Sequence, residues 1–230
     1  MKPLLSESQD TQSLQALGRA SVQIVHDLKN QINGLKLYAT FLRKRLEKTE
    51  RPSDELDTVN KLIAGLDRTA ADLSMIIEFG QPLVLKKQTG IDLQKMISGI
   101  ATSLNASPPT TGALKGVVVV DYEPVRLVGE FDSEALSEAF RAISLGALKM
   151  LASRGREVEL HIHLKDQAIE SHRDGVIEWR GFDSSNHDPF HSFVGSEGIR
   201  MSLAARVVEA HGGSAERQNG TLRVRLPLAP

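Results

Sequence analysis

The stretch "VHDLKNQINGLKLYATFLRKRL", Val25–Leu46, decides how this chain is read. Apolar residues recur in it at Val25, Leu28, Ile32, Leu35, Ala39, Leu42 and Leu46, in alternating steps of three and four. Side chains spaced this way line one stripe of an α-helix, so the spacing predicts a long helix with a heptad-like seam. The same steps return at Leu56, Val59, Ile63, Leu66, Ala70, Leu73 and Ile77. Between the two runs Pro52 breaks the first helix and Ser53 is placed to cap the second, which ends near Gly80 and Pro82. So short a connection makes the helices antiparallel neighbours. Two helices alone bury little of their seams, and a homodimer forming a four-helix bundle is the expected solution.

His26 follows the seam residue Val25 by one position, about 100° around the helix, which turns its ring to the flank of the hairpin. Lys29, Asn30 and Asn33 follow at three, four and seven residues and are expected on that outward face. Asp27, beside the ring, can fix its tautomer by accepting from one nitrogen, leaving the other as an exposed nucleophile. The same pattern also fits an ordinary solvated helix face. The basic run Lys29, Lys36, Arg43, Lys44 and Arg45 is read as such a face.

The totals bound the class. With 230 residues, 40% hydrophobic and 25% charged, the chain has apolar mass for one or two globular domains. A formal net charge of -1 gives no overall basic field for nucleic acid. The absence of cysteine excludes disulfides, thiol catalysis and Cys-ligated zinc, and fits a reducing, cytoplasmic setting. No apolar run reaches the ~20 residues of a spanning helix, and "MKPLLSESQDTQSLQ" lacks the apolar core of a signal peptide, so membrane insertion is not expected.

After residue 84 the pattern changes, dividing the chain into an expected hairpin domain, 1–84, and a second domain, 85–230. In the second, "IDLQKMISGIATSLN" reads as an amphipathic helix, "SPPTTGALKG" as a loop and "GVVVVDY" as a buried strand. "DSEALSEAFRAISLGALKMLAS" is helical with Asp132 or Ser133 as cap, and "EVELHIHLKD", "DGVIEWRGFD" and "TLRVRLPL" are strands. The expected class is α+β, a helical hairpin followed by an α/β sandwich with helices on one side of an antiparallel or mixed sheet.

"HDLKNQINGLKLYATFLRKR" resembles the phosphoacceptor box of sensor histidine kinases, whose dimerisation domain is a helical hairpin. In that family a His is followed by an acidic residue, with Asn or Thr one turn later; His26, Asp27 and Asn30 match. The proline that often follows is Gln31 here, which leaves the helix straighter. The end of the chain, "GIRMSLAARVVEAHGGSAERQNGTLRVRLPL", resembles the close of the kinase catalytic domain. The resemblance implies that His26 carries the phosphoryl group, Asp27 acts as base or orienter, and Asn30 positions water or partner. Lys29 would add local positive charge.

The same resemblance makes the nucleotide site degenerate. The family's two asparagines, four residues apart on one helix, one of them a magnesium ligand, fall at Ala142 and Gly146, which ligate no metal. Lys149 alone persists from that pattern. In "FDSSNHDPF" Asp183 is retained, but Ser185 and His187 take the glycine places. In "GIRMSLA" Gly198 is kept and Arg200 stands at the next glycine, where a guanidinium crowds a phosphate cradle, although a cation there could hold an anion. The sandwich therefore reads as a kinase fold that has lost ATP hydrolysis, with residual nucleotide binding left open and no cofactor or metal of its own expected.

Other residues have plainer readings. His161 and His163 share one face of a strand, His187 and His191 sit around Pro189 in a loop, His211 belongs to a helix-ending turn, and Trp179 is core or a partner contact. The expected function is a homodimeric histidine phosphotransferase relaying phosphoryl groups between His26 and aspartates of response-regulator receiver domains, the magnesium coming from the receiver. The rivals are a divergent active kinase and a non-enzymatic adaptor.

Overall fold

The computed structural model describes residues 5–48, 53–106, 115–152, 157–169, 172–183, 188–192 and 195–229. Pro52, the loop of residues 107–114, Ser185 and His187 lie outside them. The chain divides into two compact units, Met1–Pro82 and Leu83–Pro230.

The first unit is a helical hairpin of α1, Leu5–Leu46, and α2, Ser53–Gly80. Arg43, Lys44 and Arg45 in the last turn of α1 and Asp54 and Glu55 in the first turn of α2 complement the helix dipoles. Gln31 retains the N–H that a proline would remove, and α1 runs through it without interruption. Lys36 Nζ reaches Asp67 Oδ1 across the hairpin at 2.5 Å.

The inner stripe of α1 shares Val25, Ile32, Ala39 and Leu46 with the predicted seam and differs from it elsewhere. Val22, Val25, Lys29, Ile32, Lys36, Ala39, Arg43 and Leu46, all half-buried or buried, form it, with Ala39 5% exposed. Leu28, Leu35 and Leu42, expected in the seam, are 44%, 53% and 46% exposed. They form a second stripe with Ile24, displaced by about 100° from the first. Leu62 and Ile76 of α2 are exposed on the same flank, opposite the edge that carries Lys36 and Asp67.

The second unit is an α/β sandwich. Strand β1, Gln88–Asp92, pairs antiparallel with β3, Val128–Phe131. The main sheet contains β2, Lys115–Tyr122; β4, Glu157–Ile169; β5, His172–Arg180; β6, Ser214–Gln218; and β7, Thr221–Pro227. Their order is β2-β4-β5-β7-β6, with β2 and β4 parallel and the other neighbours antiparallel. Helices α3, Leu93–Ala106; α4, Ser133–Ala152; and α5, Gly195–Ala210, pack with the inner face of the sheet into one core. That core includes Leu160, Ile162, Leu164, Ile177, Trp179, Leu222, Val224 and Leu226, each fully buried and alternating along its strand as the period of two requires. Trp179 is therefore core, its Nε1 donating to buried Ser144 Oγ at 2.9 Å.

Polar devices close the ends of these elements. Asp132 caps α4 by accepting from Ala135 N at 3.1 Å, and accepts from Lys86 N at 2.7 Å. These backbone donors hold its carboxyl below the usual range. His211, buried at the end of α5, donates from Nδ1 to Val207 O at 2.7 Å and accepts from Asp132 N at Nε2, 2.9 Å. Burial lowers its pKa, and its two bonds suit the neutral ring, a structural role.

Candidate functional site

A long helix with one polar edge places the candidate nucleophile in the open. The His26 side chain is 54% exposed. Rotation of about 100° per residue sets it roughly 160° around α1 from the centre of the bare Ile24–Leu42 stripe, on the side away from any partner covering that stripe. Asp27 Oδ1 is 3.7 Å from His26 Nδ1, and Asn30 Nδ2 is 3.4 Å from the same nitrogen. Both contacts fall on Nδ1, and neither involves Nε2. Asn33 is exposed on this edge, whereas Lys29 is half-buried on the inner stripe, rotated toward α2 and not beside the ring as its spacing suggested. Gln23, which the sequence reading passed over, donates from Nε2 to Asp27 Oδ1 at 3.1 Å. Its four-residue offset from Asp27 was the available signal.

The five degenerate positions of the sandwich have local explanations. Ala142 is half-buried on α4 and packs against the core. Gly146, fully within the α4–α5 seam, faces Met201: a β-carbon at 146 would lie 2.8 Å from Met201 Sδ. One turn on, Lys149 forms an ion pair with Glu197 in the first turn of α5. Gly198 admits no side chain either, because its β-carbon would lie 2.7 Å from Ser192 O, the carbonyl that Ser202 Oγ also reaches at 3.0 Å. Asp183 is exposed, and its carbonyl accepts from Arg217 at 2.8 Å. Arg200 is exposed on α5.

These positions are not a ligand set. Donors that would hold a magnesium–nucleotide pair are replaced by an alanine and a glycine, and the space at the glycine is occupied by the Met201 thioether. The short 3₁₀ turn Pro189–His191, capped by Asp188, buries Phe190 to 1% exposure.

Three further described histidines, His161, His163 and His191, lie in the second unit. His161 and His163 share the outer sheet face, as expected; His161 lies 3.5 Å from Glu159 and 4.0 Å from Asp121. His191 pairs with Asp188 at 2.8 Å. Among the described residues, no group of three histidine or acidic side chains is placed to hold a metal ion. No helix among them is long and apolar enough to cross a membrane.

No protein-family model and no curated protein matches the chain. Solved structures do. The crystal structure of full-length ShkA in complex with AMPPNP superposes with a TM-score of 0.62 at 16% identity, covering 90% of this chain and 45% of that one. The Acinetobacter baumannii histidine kinase AdeS gives a TM-score of 0.54 at 12% identity, covering 87% of this chain and 97% of its own. The present chain thus spans less than half the length of ShkA. What it shares with both is a fold, a helical hairpin followed by a sandwich of the histidine-kinase type.

Proposed function

We propose that this chain is a homodimeric histidine phosphotransferase of two-component signalling, passing phosphoryl groups between His26 and receiver-domain aspartates with no ATP-dependent kinase activity of its own. The observation that carries this reading is a contrast: the histidine edge of the hairpin is open, while Gly146, where the resemblance expects an asparagine, packs against Met201. In the transfer, His26 Nε2 attacks the phosphorus of a receiver aspartyl phosphate in line. The N–P bond forms as the P–O bond breaks, and the aspartate oxygen keeps the electron pair. Asp27 compensates the positive charge that develops on the ring, and Asn30 positions water or partner. The receiver supplies its own magnesium, so this chain contributes position rather than a metal. Exposed Leu37 and Phe41, on the same edge of α1 as His26, offer the receiver apolar area to dock on.

The test offers labelled ATP in one reaction and a phosphorylated receiver in another, with wild type and His26→Ala. Label from the receiver on wild type, and none on His26→Ala, is the expected result. Label from ATP would make the chain a divergent kinase; label from neither source, across several receivers, would favour an adaptor.

Dimerisation in this reading rests on the bare flank of Ile24, Leu28, Leu35, Leu42, Leu62 and Ile76. Leu35→Glu places a charge in that flank and is expected to weaken self-association by roughly tenfold or more. Sedimentation equilibrium reads this directly. An unchanged dimer mass for the variant at low concentration would remove the flank from the interface.

A further inference from the structure

Strand β2 ends the main sheet, with β4 on one side and, among the described residues, no strand on the other. An edge of this kind offers unpaired N–H and C=O groups to an incoming strand. The sequence does little to blunt it, since "KGVVVVDY" has four consecutive valines and no proline. Val118 and Val120 pack into the core, while Val117, Val119 and Asp121 share the outer face, with Val117 54% exposed.

One side chain closes this edge. Asn105, near the end of α3, donates from Nδ2 to Val118 O at 2.9 Å and accepts at Oδ1 from Val118 N at 2.8 Å. Its amide thus makes the two bonds that a residue of a neighbouring strand would make at this place. Backbone groups alternate in direction along a strand, so Gly116 and Val120 face outward with Val118, which stands in the middle of the edge. Beyond the strand, Gln94 Nε2 donates to the carbonyls of Glu123 and Val125 at 3.1 and 2.8 Å, tying the chain to α3 as it leaves β2. The pairing edge is therefore confined to β2 itself.

One register of self-pairing suits these residues. Antiparallel pairing about a two-fold axis at Val118 sets Val118 against its own copy as a hydrogen-bonded pair, Val117 against Val119, and position 115, a lysine, against position 121, an aspartate. Apolar residues then meet apolar ones on the outer face, and opposite charges meet at each end. The centre of that register is the pair of groups that Asn105 occupies. We propose that β2 is a pairing edge for the β2 of a second copy of this chain, and that the Asn105 amide holds it shut. Opening needs only a rotation of the Asn105 side chain, and the two hydrogen bonds given up are replaced by those of the incoming Val118.

The test uses the full chain as wild type, Asn105→Ala, Asn105→Ser, and Asn105→Ala combined with Asp121→Lys. Alanine favours the helix and serine is too short to span both groups, so either substitution frees the edge. Sedimentation velocity over a concentration series is expected to show, in Asn105→Ala and Asn105→Ser, a species of at least twice the wild-type mass. Asp121→Lys, which sets a lysine against Lys115, is expected to return the Asn105→Ala chain to the wild-type mass. Hydrogen exchange at the Val118 amide separates pairing from local loosening. It is expected to be slow in wild type at all concentrations, and in Asn105→Ala roughly tenfold faster in dilute solution but slow again as concentration rises. Fast exchange in Asn105→Ala at every concentration, with the wild-type mass, would overturn the pairing edge and leave Asn105 a local tie. Exchange unchanged from wild type would overturn its role as the closure. Association that survives Asp121→Lys would place the contact outside this register and overturn the proposal as well.

Discussion

Gly146→Asn, which places there the residue type that the resemblance to histidine kinases expects, is expected to destabilise the sandwich by about 1 kcal/mol without conferring ATP binding. Introducing a side chain in a helix interior would ordinarily gain up to about 1 kcal/mol over glycine. Here the first added carbon already lies 2.8 Å from Met201 Sδ, and Met201 is 2% exposed within the core. Overpacking of that kind costs roughly 1–3 kcal/mol, at the lower end here because the atom in the way belongs to the flexible end of the Met201 side chain, which can shift. The measurement pairs chemical denaturation with a fluorescent-nucleotide titration on wild type, Gly146→Asn and Gly146→Asn with Met201→Ala. Removing the methionine side chain should recover part of the lost stability. Micromolar nucleotide affinity in Gly146→Asn, with stability unchanged, would show that the seam is still shaped as a nucleotide site.

Glu178→Ala is expected to cost about 3 kcal/mol at neutral pH and much less in acid. Glu178 sits at the centre of the outer sheet face with its side chain 4% exposed, and three cations converge on it: Lys165 at 3.1 Å, Arg180 at 2.6 Å and Arg223 at 3.0 Å. The register makes this possible, since His163, Glu178, Arg223 and Glu216 fall side by side on neighbouring strands β4, β5, β7 and β6. Burial alone would raise the carboxyl's pKa; the hydrogen bonds and charges of Arg180 and Lys165 overcome it and bring it from 4.5 down to about 2. A carboxylate depressed in the folded state binds fewer protons there than in the unfolded chain. Its contribution is therefore present above about pH 4.5 and lost as pH falls toward about 2. Deleting the carboxylate leaves three cations facing one another, and removing one partner of a buried ion pair costs about 3–5 kcal/mol. Partial exposure of Arg180 puts this case at the lower end. Urea unfolding at pH 7 and pH 3 reads both halves: equal stabilities of variant and wild type at pH 7 would sink the claim.

Much of the architecture was legible in the chain because its cause is local. Steps of three and four gave the two hairpin helices, alternation gave β4, β5 and β7, and Asp132 announced the start of α4. Strands β1, β3 and β6 were not read: they are four or five residues long, and β1 and β3 exist by pairing with each other across some forty residues of chain. At the candidate site, His26, Asp27 and Asn30 are neighbours within one helix, so their juxtaposition follows from the 3.6-residue turn. Lys29 does not follow the same rule, because α1 has two stripes and only contact with α2 selects which one is covered.

By itself, then, the sequence determined what a single helix or strand can determine: the hairpin, the alternating sheet and the cluster around His26, all products of short-range periodicity. Only the tertiary structure decided that Lys29 turns inward, that Leu28, Leu35 and Leu42 remain bare, that Gly146 closes on Met201, and that Glu178 meets three cations. In each of these the deciding atom belongs to a different element, and close packing between elements, which no local pattern encodes, chose the outcome.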